Sequence, residues 1–283
     1  MSGDAPPLRK RRVRHRVGAL LVAGGAAAAL VTLLMSMLGT GSHAAPAPAA
    51  HRTSADDADG LPQPMRPAFA PGPATFLGSA PGVSVWAVVR RPTTVRARPG
   101  GKSPALTRLE RRTPEGTTNI VLVLGRRTDD RRTLWIRVRV PLLGDRNTGW
   151  VPRRSLGGYG TVRTRLVVDL RSFRATLFRR GRPIFRARVG VGKFSWPTPR
   201  GEFYIRNKLT EFASPTYGPV AFGTSARSAV LTDWPAGGYV GIHGTDRPEL
   251  LPGHVSHGCI RMRNEDILRL SKLMPVGTPI TIR

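Results

Sequence analysis

The chain has 283 residues, which is enough for one large domain or two domains of ordinary size. Hydrophobic residues make up 40% and charged residues 22%, a composition that excludes a wholly disordered chain. The net charge of +28 is spread along the chain and accompanies no helix-turn-helix, paired-cysteine finger or aromatic RNA-binding motif, so we expect no nucleic-acid partner. Two interpretations of the charge remain open: ordinary solvated arginine faces, or a surface that binds an anionic polymer such as a cell envelope.

The amino terminus has the features of an export signal. Residues 1–16 are strongly basic, and residues 17–39 form an uncharged, apolar segment. This segment is longer than a usual signal-peptide hydrophobic region and just long enough to cross a bilayer, so it predicts a hydrophobic helix. Ser42-His43-Ala44 offers a small-residue site for cleavage after Ala44, whereas the basic flank and the length favour a retained membrane anchor. In both cases the rest of the chain is expected outside the cytoplasm, in the cell wall, secreted, or on the outer face of the membrane.

Residues 40–82 are rich in Ala and Pro and show neither helical nor alternating periodicity. Proline-rich chain of this kind favours the extended polyproline II conformation. The segment is therefore predicted to be a linker that separates the amino terminus from the folded part of the chain.

Residues 83–157 are predicted to form a small β-barrel domain. Short segments of strand character, separated by turn residues, are Val83–Val89, Thr93–Arg98, Asn119–Leu124, Leu134–Val140 and Thr148–Pro152. The strings LWIRVRV and TGWVPRRSL resemble the last two strands of bacterial Src-homology-three-like domains. In exported proteins this resemblance implies binding or positioning of cell-wall components, and a spacer barrel without a ligand is the alternative.

Residues 161–283 are predicted to form a second β domain with one short helix. The expected strands are Arg165–Leu170, Ala175–Phe178, Ile184–Val189 and Ile280–Ile282, with a hairpin turn at Arg179–Arg182. The helix is expected over Asn264–Met274, with Asn264 as its N-cap and Pro275 and Gly277 ending it.

Cys259 is the only cysteine of the chain, which excludes an internal disulfide and a multi-cysteine metal cluster. It lies with three histidines in the string GIHGTDRPELLPGHVSHGCIRM, residues 241–262. A thiol becomes a competent nucleophile when a neighbouring imidazolium stabilises its thiolate. His243, arriving from another strand, can be aimed at the sulfur better than His257, which stands only two positions away. Gly258 permits backbone torsions that let nearby amides converge on the oxygen of a carbonyl under attack.

Two other interpretations of this cysteine remain open on the residues alone. Cys259 could be a small buried hydrophobe, the usual fate of a free cysteine. It could also bind zinc together with His243, His254 and His257, although no Glu or Asp stands at a zinc-hydrolase spacing such as H-E-x-x-H.

The strings GIHGT and SHGCIRM, with His243 sixteen positions before Cys259, closely resemble the active-site signature of the YkuD-type L,D-transpeptidases of bacterial cell walls. The resemblance extends through VVDLRSFRATLFRRGRPIFRARVGVGKFSWPTPRGEFYI, including the TP-x-G segment at Thr198, Pro199 and Gly201. It implies a mostly β fold in which an antiparallel β-sandwich carries a Cys and His site, in an exported protein.

The resemblance also implies a role for each site residue. Cys259 is expected to be the nucleophile, His243 the general base, and Gly244 the residue whose carbonyl orients the imidazole. The amides of His257, Gly258 and Cys259 are expected to bind the oxyanion.

The activity that the resemblance implies is acyl transfer in two steps, without a metal or other cofactor. The cysteine attacks the third residue of a peptidoglycan tetrapeptide stem, releases D-alanine and forms a thioester, and an amine of a second stem then forms a crosslink. Susceptibility to carbapenem-type inhibitors is implied as well. Water as acceptor would instead give a carboxypeptidase or endopeptidase, related chemistry can anchor a protein to the wall, and a noncatalytic envelope-binding protein is the alternative of another class.

Arg261 departs from the pattern of those family members that carry Asn two positions after the cysteine. Its guanidinium is suited to binding a carboxylate through two parallel hydrogen bonds, so we expect it to hold an acidic group of the peptide substrate. The alternative is a structural ion pair with Asp246 or Glu265.

Overall fold

The computed structural model describes residues 75–76, 82–142, 147–210, 214–231 and 238–283, all within one compact unit, Pro64–Arg283. The predicted basic segment 1–16, the hydrophobic helix 17–39 and most of the linker 40–82 lie outside these residues. In the part of the chain that is described, no helix is long and apolar enough to cross a membrane.

The first eight strands form one antiparallel sheet, in the order β4-β3-β7-β6-β5-β2-β8, with β1 added to β5. The strands are β1 Thr75–Phe76, β2 Ser84–Val89, β3 Thr93–Arg96, β4 Ala105–Leu109, β5 Ile120–Thr128, β6 Leu134–Arg139, β7 Thr148–Pro152 and β8 Leu156–Val162. Their inward side chains form a buried apolar core that includes Ala87, Val95, Val121, Ile136, Val138 and Val151.

The five strands predicted in this region are present, and three further strands were missed. β1 lies inside the segment predicted to be a linker, and pairing with β5 makes it a strand. β4 is an edge strand in which only Leu109 is buried, so its sequence lacks apolar alternation. β8 contains three glycines and therefore low strand propensity, but Gly160 leaves room for Trp86, whose ring would lie 2.4 Å from a β-carbon there.

The second sheet has ten strands, in the order β11-β10-β9-β18-β13-β14-β15-β17-β12-β16. The strands are β9 Thr164–Asp169, β10 Arg174–Arg179, β11 Arg182–Arg188, β12 Gly190–Gly192, β13 Gly201–Leu209, β14 Ala221–Arg227, β15 Tyr239–His243, β16 Gly253–Ser256, β17 Ile260–Arg261 and β18 Pro279–Ile282. The pairs β9–β18, β15–β17 and β12–β16 are parallel and the other neighbouring pairs are antiparallel. The fold is thus mostly β, as predicted.

The hairpin predicted at Arg179–Arg182 is confirmed by the pairing of β10 with β11. Its two central residues, Arg180 with φ 50° and Gly181 with φ 81°, both adopt the left-handed conformation. Positive φ at both positions is the requirement of the type I′ turn, whose twist matches that of the flanking strands.

The one helix of the described residues, α1, spans Asn264–Leu273 and buries Ile267 and Leu270. The prediction that Asn264 caps it was wrong, because the cap position is Arg263 and carries no side-chain capping bond. The side-chain oxygen of Asn264 instead accepts a hydrogen bond from the Thr245 amide at 2.9 Å. The residue that looked like a helix signal therefore anchors the loop that follows β15.

A buried polar seam joins the two sheets through β13. Tyr204 is fully buried and donates its hydroxyl to the Ile120 carbonyl at 3.0 Å. Arg206, only 2% exposed, pairs with Glu115 at 2.8 Å, and Asn207 donates to the same carboxylate at 3.1 Å. A buried guanidinium is costly without its partner, so this contact ties the sheets together. The division into domains 83–157 and 161–283 stays a prediction.

Candidate active site

The parallel pairing of β15 with β17 determines which residues meet at the site. Ile242 is paired with Ile260 and His243 with Arg261, so Cys259 lies level with Gly241. Because side chains alternate along a strand and register partners point the same way, Cys259, His243 and Arg261 lie on one face of the sheet. All three line a cavity of about 240 Å³.

Gly241 leaves the space in which the sulfur and the imidazole come together. Its amide donates a hydrogen bond to Sγ of Cys259 at 3.3 Å. A β-carbon placed on Gly241 would lie 3.8 Å from Cδ2 of His243 and 3.9 Å from the same sulfur. The ring edge and the thiol therefore border the same space next to Gly241.

The tautomer of His243 follows from its hydrogen bond to Gly244. Nδ1 lies 2.7 Å from the Gly244 carbonyl, and since a carbonyl can only accept, Nδ1 carries the hydrogen. Nε2 of the neutral ring is then an acceptor, and Nε2 is bonded to Cδ2, the atom that faces Gly241. The ring of Tyr217 packs against the imidazole with centroids 4.7 Å apart.

Burial sets the protonation of both groups. His243 is 2% exposed, and this burial lowers its pKa to about 4, with the charge of Arg261 acting in the same direction and the Gly244 bond opposing it. Burial raises the pKa of the Cys259 thiol, although the Gly241 amide and Arg261 oppose the rise. The resting site is thus a neutral thiol beside a neutral imidazole, rather than the thiolate and imidazolium expected from the sequence.

The loop that carries the cysteine is fixed by its own hydrogen bonds. Gly258 has φ 114°, a conformation that favours glycine. Its amide donates to Oγ of Ser256 at 3.1 Å, and that hydroxyl donates to the Cys259 carbonyl at 2.6 Å. The Gly258 amide is therefore already engaged, which corrects the expectation that it is an open oxyanion donor.

Thr198 holds the same loop from the other side. Its buried hydroxyl accepts a hydrogen bond from the Gly192 amide at 2.8 Å and donates to the Gly258 carbonyl at 2.8 Å. The sequence singled out Thr198 only as part of the TP-x-G segment and gave it no role. It connects β12 to the residue just before the cysteine.

Arg261 lies beside the thiol and is not held by an acidic residue of the described chain, as the substrate-binding hypothesis requires. It lines the cavity, and its Nε is buried without a hydrogen-bond partner among the described residues. The alternative, an ion pair with Asp246 or Glu265, is absent from the ion pairs of the described part of the chain.

The other two histidines of the motif each pack against an aromatic ring. Nδ1 of His254 lies 2.7 Å from the Gly192 carbonyl, and its ring stacks on Phe194. His257 lines the cavity but packs against the ring of Trp196, with centroids 4.4 Å apart. Across the described ranges, no three His, Cys, Asp or Glu residues gather in a way that could hold a metal ion. The zinc interpretation thus has no support from the geometry.

One wall of the cavity carries no sequence motif that could have identified it. Tyr239 lines it, and the guanidinium of Arg206 lies 3.8 Å from the centroid of the Tyr239 ring. Arg206 is in turn held by Glu115 of the first sheet. A loop of the first sheet therefore supports a wall of the site, a contact between residues 91 positions apart.

Thr198 gives a prediction about stability. Thr198→Val keeps the shape of the side chain but leaves the Gly192 amide and the Gly258 carbonyl unpaired, and burying unpaired polar groups costs about 1–3 kcal/mol each. Thr198→Ser keeps the hydroxyl and loses one methyl, worth about 1 kcal/mol. We expect the valine variant to lower the free energy of unfolding in urea more than the serine variant. Equal losses, or a more stable valine variant, would contradict the role of the hydroxyl.

Comparison with known proteins places this site in a family. The model of the YkuD family, the L,D-transpeptidase catalytic domain, matches residues 163–282. The chain is 34% identical over 122 residues to the YkuD protein of Bacillus licheniformis, which is named as an L,D-transpeptidase, and the match covers 43% of this chain and 67% of that protein. It is 39% identical over 103 residues to the YqjB protein of Bacillus subtilis, also named as an L,D-transpeptidase, across 33% of this chain and 56% of that one.

Solved structures are similar over part of the chain. The crystal structure of an Enterococcus faecium L,D-transpeptidase mutant matches with 25% identity and a TM-score of 0.35, over 42% of this chain and 49% of that one. An L,D-transpeptidase solved in complex with imipenem matches with 20% identity and a TM-score of 0.35, over 53% of this chain and 90% of that one. The chain thus spans about half the length of the first of these. The match to the family model and the identity with the Bacillus licheniformis relative together show that the chain belongs to the YkuD family of L,D-transpeptidases and carries its catalytic domain over residues 163–282.

Proposed function

We propose that this protein is a peptidoglycan L,D-transpeptidase that joins the third residues of two stem peptides through a thioester on Cys259. The observation that carries the proposal is the meeting of two groups at Gly241: the sulfur of Cys259 and the ring edge of His243 that bears Nε2. A nucleophile beside an oriented base is the arrangement that covalent acyl transfer requires.

In the first step the proton moves as the bond forms. Nε2 of neutral His243 accepts the thiol proton while the sulfur of Cys259 attacks the carbonyl of the third stem residue. The Gly241 amide and the charge of Arg261 stabilise the negative charge that develops on sulfur. The imidazolium then donates its proton to the amine of the departing D-alanine, so that the peptide C–N bond is replaced by a thioester.

In the second step an amine is the nucleophile and the sulfur of Cys259 is the leaving group. The side-chain amine of another stem attacks the thioester, and Nε2 of His243 accepts a proton from that amine. The sulfur leaves and recovers a proton, and the product is a new amide between two third residues. The energy of the first peptide bond is conserved in the thioester, so the step needs no nucleotide.

Fewer backbone amides are available to bind the oxyanion than the motif predicted. Because Gly258 donates to Ser256, we assign the oxygen of the tetrahedral intermediate to the amides of His257 and Cys259. Backbone donors fixed before the reaction stabilise such an oxygen without rearranging during it.

The cellular setting is part of the proposal. The basic and apolar amino-terminal segments favour an extracytoplasmic location, in the wall or tethered to the outer face of the membrane if the signal is retained. The partners are then donor and acceptor stem peptides of peptidoglycan. A solved relative is described in complex with imipenem, which supports acylation of Cys259 by carbapenem-type inhibitors.

The first functional prediction concerns the products. The full chain incubated with disaccharide tetrapeptide should release D-alanine and give dimers joined through third residues, as read by mass spectrometry. Cys259→Ala should abolish the reaction, and His243→Gln should slow it by about 10²-fold or more, the usual contribution of a general base. Tripeptide without dimers would assign hydrolysis instead, and no turnover would favour a noncatalytic envelope-binding protein.

The second functional prediction concerns Arg261. A charge-assisted pair between its guanidinium and a substrate carboxylate is worth about 1.5–3 kcal/mol, so Arg261→Gln should lower kcat/KM about 10-fold or more for stems with a free carboxylate. Amidated stems should lose much less, since they lose only the smaller effect of the Arg261 charge on the sulfur. Arg263→Gln removes the same charge from an exposed position two residues further on and is the matched control. An equal loss for free and amidated stems would contradict the assignment.

A further inference from the structure

A cleft at one end of the first sheet is lined largely by arginines. It lies between the end of β2, the segment after β4 and the 3₁₀ turn Arg153–Ser155, and has a volume of about 950 Å³. The arginines that line it are Arg90, Arg91, Arg111, Arg112 and Arg154. None of its lining residues takes part in the Cys259 cavity, so the cleft is independent of the proposed reaction.

The positive charge of the cleft is largely unpaired. Arg112 donates to the Gly116 carbonyl at 2.6 Å. The guanidinium groups of the other four arginines make no hydrogen bond or ion pair with any residue that the structure describes. The single acid in the lining, Glu110, is bound by Arg108 at 2.7 Å. Several guanidinium groups are therefore available to an anion from outside.

Backbone hydrogen bonds fix the walls that carry these arginines. The amides of Arg90 and Arg91 both donate to the Ser155 carbonyl, at 2.9 and 3.3 Å. The Arg111 carbonyl accepts from the Asn119 amide at 2.9 Å. Three separate chain segments are thus held around one concavity, and the arginines converge without a large rearrangement of the backbone.

We propose that this cleft binds a polyanion that carries a phosphate in every repeat, such as a phosphodiester-linked polymer. The planar fork of guanidinium matches two oxygens of one phosphate, and several such forks facing one cleft fit a chain of phosphates better than a single anion. Among the residues that the structure describes, no aromatic side chain lines the cleft, so these residues provide no platform on which a single-stranded nucleic acid would stack its bases. The site recognises the phosphates and holds the protein on a polymer while the second sheet faces its own substrate.

A control elsewhere in the chain separates this site from diffuse charge. Arg174, Arg186 and Arg188 are exposed on the neighbouring strands β10 and β11 and, within the described ranges, have no side-chain hydrogen bond or ion pair. They offer the same number of positive charges on open strands, away from the cleft. Neutralising three arginines in either place changes the net charge of the protein by the same amount.

The test measures binding of the full chain to inorganic polyphosphate over a range of salt concentrations. Arg90→Gln with Arg91→Gln and Arg111→Gln should weaken binding at least ~10-fold. It should also reduce the slope of log affinity against log salt by about 2, since each lost phosphate contact contributes about 0.7. The matched variant of Arg174, Arg186 and Arg188 should weaken binding less than ~3-fold and change the slope by less than ~1.

Equal losses in the two triple variants would overturn the proposal, because net charge alone would then explain the binding. A second outcome would identify a nucleic-acid site instead. In that case the protein would bind duplex DNA more tightly than polyphosphate at equal phosphate concentration, and the triple variant of the cleft would lose this DNA binding. Arg111→Gln with Arg154→Gln, which leaves the β2–β3 turn intact, replaces the triple variant if that variant unfolds. Alkylation of Cys259 by iodoacetamide should be unchanged in all variants.

Discussion

The parallel pairing of β15 with β17 is the constraint on which the site depends. It sets Cys259 level with Gly241 and puts His243 on the same face, so two residues sixteen positions apart border one space. Gly241 is next to both groups, and its amide donates to the sulfur. The hydrogen bonds of Thr198 and Ser256 fix the loop that carries Cys259.

The electrostatics of the site follow from its burial. The partly buried thiol of Cys259 and the buried imidazole of His243 both resist ionisation, and the positive charge of Arg261 acts differently on each: it favours a thiolate and disfavours an imidazolium. The neutral pair is therefore the resting state. In the proposed mechanism, charge separates only when a substrate carbonyl takes up the electron pair of the sulfur, with neutral His243 acting as the general base.

Local patterns in the sequence predicted four of the ten strands of the second sheet and its hairpin, and the motif pointed to the residues proposed to carry the chemistry, because motif and periodicity are short-range signals. The remaining features depend on long-range contacts. Arg206 and Tyr239 bear no motif, and the support that Glu115 gives them arises only when the two sheets pack. Asn264 had the composition of a helix cap, but its carboxamide is bound by Thr245 instead. β8 was not predicted because its three glycines give it low strand propensity, and it forms a strand by pairing with β2.

The measurement that tests the central claim most directly is a pH titration of the His243 ring nitrogens by ¹⁵N NMR in the full chain. Since burial lowers the pKa of His243, the ring should remain neutral, with its hydrogen on Nδ1, as the pH falls through its usual pKa of 6.5, and should take up a proton only near pH 4. Between these values an unfolded chain holds a proton on this ring that the folded site does not, so acidification also favours unfolding. A ring that is doubly protonated at pH 7, or that titrates at or above 6.5, would contradict the account and restore a thiolate–imidazolium pair.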